Sequence, residues 1–192
     1  MMQNIDTEAQ RYGRNKETSV NSTYINSGVY KKKFDTISNS KKLSRVLYKI
    51  AKKMLVHRSG TKYEDMYWID LDTLKIVAKE IDGITEHAII YSNETKKTIK
   101  KYPNLITIHT HPDSFPPSIN DLNSNFDHGY VLGIIICHNG KIFIYSAREQ
   151  INENYYKMVV ESYLKQGYNE DASQLMALFE IQKNFDILFR EV

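Results

Sequence analysis

The pair Asn139-Gly140 constrains this chain more than any other two residues, because it joins two apolar runs, residues 131–138 (VLGIIICH) and 141–146 (KIFIYS). Two-residue hairpin turns need positive φ at both central positions, and Asn-Gly supplies them at least steric cost, so a β-hairpin is predicted here. Further strand-like segments precede it: MYWID (66–70), LKIVAKEI (74–81), HAIIY (87–91) and LITIH (105–109) are short, rich in β-branched and aromatic residues and punctuated by Asp, Thr and Gly.

Other stretches carry a helical period. Leu43, Val46, Leu47, Ile50, Met54 and Leu55 recur at spacings of three and four among Lys and Arg, which predicts a helix over 41–57 with Gly60 as its stop. A second, from about Glu94 to Lys101, ends before Pro103, since the residue preceding proline is pushed out of the helical region. Beyond residue 150, Tyr155, Met158, Val159 and Tyr163 form one stripe, and Leu175, Leu178, Phe179, Phe185, Leu188 and Phe189 another; both are expected to pack on the sheet. The expected architecture is α/β: a mixed β-sheet with flanking helices. Its parts are a basic polar arm at 1–40, of which 24–37 is apolar enough to dock, a central domain at 41–150 and a C-terminal helical extension at 151–192.

Charge is unevenly placed. Residues 1–53 hold 12 Lys/Arg against 4 Asp/Glu, and residues 54–192 hold 14 against 19. With no aromatic-interleaved basic strand, the front reads as a solvated tail rather than a nucleic-acid surface. The longest apolar run, Tyr130 to Cys137, is far short of the roughly 20 residues that span a bilayer, so no membrane partner is expected. A lone Cys137 and a start without an apolar leader fit a cytoplasmic setting.

The chemistry concentrates in IHTHPDSFPPSINDLN (108–123). Alternation along a strand puts His109 and His111 on one side with Cα atoms about 6.6 Å apart, so two imidazoles converge on one ion. Catalytic zinc takes three protein ligands and leaves a fourth position for water. Asp121 is the third ligand if the loop of Pro112, Pro116 and Pro117 folds back. Ser118 and Asp121 also match the capping box that opens a helix, and both readings hold together.

This combination resembles the JAMM (MPN-plus, or JAB-domain) zinc metalloproteases, whose pattern is an upstream glutamate, H-[ST]-H-P and then S-x-x-D. The matching residues are His109, Thr110, His111, Pro112, Ser118 and Asp121, and the resemblance covers 41 to about 150. Six residues separate His111 from Ser118, one fewer than in the family pattern. The wording is most similar to JAB-like domains of bacterial polymorphic toxins and phage head-morphogenesis proteins, which implies a phage-associated or toxin-delivered setting.

The resemblance implies an MPN/JAB-like sheet and one Zn2+ held by His109, His111 and Asp121. It also implies Glu64 as general base, with Ser118 steadying the oxyanion during hydrolysis of a peptide or isopeptide bond in a protein or peptide substrate. Glu80 and Glu86 are the alternative bases, disfavoured because they flank a turn at Asp82-Gly83. The rival reading is a catalytically silent JAB-fold binding or assembly module of a phage or toxin particle. The remaining histidines, His57, His87, His128 and His138, are expected at element ends or in solvated positions, and Cys137 as a buried strand residue.

Overall fold

A computed structural model describes residues 16–192. Six strands form one sheet in the order β2-β1-β3-β4-β5-β6: β1 (Met66–Asp70), β2 (Lys75–Glu80), β3 (Leu105–His111), β4 (Leu132–Cys137), β5 (Ile142–Ala147) and β6 (Ile187–Glu191). All neighbouring pairs are antiparallel except β3 and β4. A parallel pair cannot be closed by a tight turn, so the chain must leave the sheet and return. The segment that does so holds the proline loop and α5 (Ile119–Asp127).

Among the described residues, four α-helices come earlier, α1 (Ser22–Ile25), α2 (Gly28–Lys33), α3 (Lys41–Arg58) and α4 (Asn93–Ile99), with a 3-10 turn at Phe34–Thr36 between α2 and α3. Two come later, α6 (Glu153–Lys165) and α7 (Glu170–Asn184). Helices cover both faces of the sheet. On one face, Tyr67, Ile69, Ile106, Ile108, Ile134, Ile136, Ile142 and Ile144 meet Leu43, Leu47, Ile50, Met54 and Leu55 of α3. On the other, Ile135, Phe143, Tyr145 and Phe189 meet Ile119 and Leu122 of α5, Val159 of α6 and Leu178 of α7. Alternation along the central strands makes this possible, each one supplying apolar side chains to two layers.

In the segment 24–37, Ile25, Tyr30 and Phe34 are buried with the α3 residues, held by short helices that Asn21 and Ser27 cap. Residues 1–15 of the expected arm lie outside the described residues. Several expectations change. The helical extension also contributes a strand, since Phe185 turns the chain extended (φ −127°, ψ 153°) and β6 then pairs with β5. Residues 87–91 form no strand; the segment is irregular, Ile90 is exposed, and only Tyr63 and Glu86 make an isolated bridge nearby.

The hairpin forms with a different turn. Gly140 has φ 88°, but Asn139 is not in the left-handed region; the Gly140 amide bonds to the Cys137 carbonyl and the Cys137 amide to that of Lys141. This is a three-residue loop, a turn followed by one left-handed glycine. A Cβ at Gly140 would also lie 2.4 Å from the Tyr24 ring, which caps the hairpin. No helix among the described residues is long and apolar enough to cross a membrane.

Candidate metal centre

His109 and His111 stand at the C-terminal end of β3, beside β4, where the parallel pair obliges the chain to cross over. Crevices at such strand ends are where open sheets with a reversal of order place ligands. The crossover lays α5 on the same face as the two imidazoles, because α5 packs on β4 and β5 through Ile119 and Leu122. Asp121 sits in the first turn of that helix. The shortened loop is therefore long enough.

The three side chains converge. His109 Nε2 lies 3.1 Å from His111 Nε2 and 3.3 Å from Asp121 Oδ1, and His111 Nε2 lies 3.8 Å from Asp121 Oδ2. Two ligands about 2.05 Å from a tetrahedral ion are roughly 3.3 Å apart, so the spacing suits a metal without rearranging the backbone. Among the described residues these three form a group able to hold a metal ion.

Each of the three side chains is oriented by a neighbour. His111 Nδ1 is 3.0 Å from the Phe115 carbonyl, which only accepts, so Nδ1 carries the proton and Nε2 presents its lone pair to the site. Asp121 Oδ2 accepts from the Ser118 amide and hydroxyl, both at 2.7 Å, while the Asp121 amide donates back to Ser118 Oγ at 3.2 Å. The capping box is present, and it is also what fixes one carboxylate oxygen so that the other faces His109. The His109 ring is set by an edge contact with Tyr145, centroids 6.4 Å apart; its Nδ1 has no hydrogen-bond partner among the described residues.

The electrostatics follow from burial and proximity. Burial lowers the His111 pKa, His109 lowers it further, and it falls to about 4, leaving a neutral imidazole at physiological pH. Burial alone would lower His109 as well, but Asp121 outweighs it and the shift is upward. Burial would raise Asp121; His109, His111 and the Ser118 bond more than reverse this and hold it well below the usual carboxylate range.

Glu64 lies just before β1 and lines the same cleft of about 520 Å³ as His111, Ser118, Asp121 and Tyr145. Burial pushes its pKa up to about 8, with Asp121 and Asp113 adding to the rise and His109 opposing it. The alternative bases lie elsewhere: Glu80 accepts from the Ser92 amide at 2.8 Å at the start of α4, and Glu86 pairs with Lys62 at 3.6 Å. Neither lines the cleft.

The other singled-out residues have structural partners. His57 pairs with Asp65 at 2.8 Å, and His87, at φ 54°, with Asp113 at 3.4 Å. His128 stacks on Tyr130, and His138, in the hairpin just past the end of β4, is buried with Nδ1 donating to the Thr18 carbonyl at 2.7 Å. Burial raises the Cys137 thiol well above its ordinary pKa, which removes it as a nucleophile. Tyr91, Asn125, Tyr145 and Glu170 also line the cleft, and no local motif announced them. Comparison with protein families, curated proteins and solved structures finds no match to this chain.

Proposed function

We propose that the chain is a JAMM-type zinc metallopeptidase that hydrolyses a peptide or isopeptide bond in a protein or peptide substrate. The observation that carries this reading is the convergence of His109, His111 and Asp121 at ligand spacing, with Glu64 in the same cleft. The donor set of two imidazoles and one carboxylate suits zinc and leaves a coordination position open. Zinc bound there supplies Lewis acidity, bringing the pKa of water from 15.7 to about 7.

The chain's own residues then divide the proton work. Glu64 takes a proton from the attacking water and returns it to the departing amine. Its raised pKa in the absence of a cation marks a carboxylate kept poorly solvated, and a nearby cation favours its ionised form. Ser118, whose hydroxyl proton is now spent on Asp121, turns to meet the oxyanion as charge develops there. Setting within a phage or toxin assembly belongs to the same proposal and rests on the resemblance of the HTHPDSFPPSINDLN segment.

Metal content and one isosteric variant test it. The expected result is about one zinc per chain, with Glu64→Gln keeping the metal and losing hydrolysis of a mixed peptide library. Zinc bound without hydrolysis by the wild type would favour the binding module, and loss of hydrolysis in Glu80→Gln instead of Glu64→Gln would move the base.

A further inference from the structure

We propose that Thr110 is a positioning residue: through the backbone of Asp65 its hydroxyl fixes where Glu64 stands relative to His109 and His111. The inference rests on the metallopeptidase reading for the role of Glu64 and on geometry for everything else. In the β1–β3 ladder, Met66 is opposite His109. One step beyond the last regular pair, the Thr110 amide donates to the Asp65 carbonyl at 3.0 Å. A regular antiparallel pair would return a bond from the Asp65 amide to the Thr110 carbonyl. Instead the Asp65 amide donates to Thr110 Oγ1, at 2.9 Å.

A side chain has replaced the backbone as the last rung. Alternation places Met66 on the face of His109, Asp65 on the opposite face with Thr110, and Glu64 back on the face of the histidines. A slip of one residue would turn Glu64 away from the site. Thr110 and Asp65 are both fully buried, and the Asp65 carboxylate is clamped behind the sheet by Arg58 Nε at 2.5 Å and His57 Nδ1 at 2.8 Å. Arg58 also bonds to the Ile81 carbonyl just past β2. The residue between the two ligands thus holds the strand that delivers the base, while its neighbours hold the ion.

The test compares Thr110→Val, which keeps shape without a donor or acceptor, with Thr110→Ser, which keeps the hydroxyl; Thr110→Ala replaces the valine variant should that misfold. Three readouts are taken: amide hydrogen exchange at Asp65, zinc affinity by titration, and kcat and KM on the library peptide that the wild type cleaves best. In Thr110→Val the Asp65 amide should exchange at least roughly tenfold faster, zinc affinity should stay within about threefold, and kcat should fall on the order of 100-fold at unchanged KM. Thr110→Ser should restore all three. The proposal is overturned if Asp65 stays protected in Thr110→Val, if zinc affinity falls in step with kcat, or if serine is as impaired as valine. A wild type that cleaves nothing refutes the hydrolase reading alone, and the exchange readout still decides whether Thr110 holds Asp65.

Discussion

Ser118 and Asp121 bond reciprocally: the Ser118 amide and hydroxyl both reach Asp121 Oδ2 at 2.7 Å, and the Asp121 amide answers at 3.2 Å. One motif starts a helix and aims the carboxylate proposed as the third ligand. Removing the ligand and removing its support should therefore have different consequences. Asp121→Ala is expected to abolish zinc binding, and Ser118→Ala to weaken it about 10- to 100-fold, the usual effect of losing a partner that orients a ligand. Calorimetric titration with zinc measures both. Equal affinities in wild type and Ser118→Ala would mean that the bond only caps α5.

The pH dependence of the metal-free chain should reveal Glu64. Its folded pKa, about 8, lies above the ordinary value of 4.5, so between those limits the folded state retains a proton that the unfolded state has released. The stability is fully present below pH 4.5, declines as pH rises and levels off above 8, by at most about 1.4 kcal/mol per pH unit. Glu64→Gln removes this contribution. The difference between wild type and variant, followed by urea unfolding from pH 4 to 9, should grow in favour of the variant across that window.

Arg58 and Asp65 form an ion pair in which each side chain is 1 % exposed. Breaking such a pair strands a charge in a poorly solvated interior, and the cost is set by the charge left behind. Arg58→Met is expected to destabilise the fold by about 3–5 kcal/mol. His57, also on Asp65, softens but does not replace the lost guanidinium, which alone bonds to Ile81. Arg58→Met combined with Asp65→Asn should recover part of the loss in denaturant melts.

The sequence signals that held are those whose physics is local. The stripe from Leu43 to Leu55 forms the buried face of α3, and the spacing of His109, His111, Ser118 and Asp121 survives because a strand end, a stiff loop and a cap fix it. Where the signal failed, the deciding partner lay far along the chain. Phe185, Leu188 and Phe189 fit a helical stripe, but β5 offers an open edge and Ile187 and Phe189 turn inward against it. HAIIY has strand composition but joins no strand of the sheet, and its His87, Ala88, Ile89 and Tyr91 line the cleft instead. Helices α1 and α2, four and six residues long, are too short to display a period, although Asn21 and Ser27 are ordinary caps. Tyr145 and Glu170 reach the cleft from β5 and α7, and nothing near them in sequence records that.

Tyr145 owes its place to a missing side chain. Gly133 faces it across the β4–β5 ladder, and a Cβ there would lie 2.1 Å from the tyrosine ring, well inside contact distance. The ring lies over the glycine and stands nearly perpendicular to that of His109, centroids 6.4 Å apart. Gly133→Ala must therefore displace a buried aromatic group beside a ligand, and overpacking of this kind costs about 1–3 kcal/mol. The same displacement loosens the His109 ring, whose Nδ1 has no hydrogen-bond partner among the described residues, so zinc affinity should fall along with stability. In a Tyr145→Leu background the alanine meets no ring. Its added cost should then shrink by at least half, a non-additivity that thermal unfolding of the four chains would measure; simple additivity would show that the glycine matters for some reason other than the tyrosine.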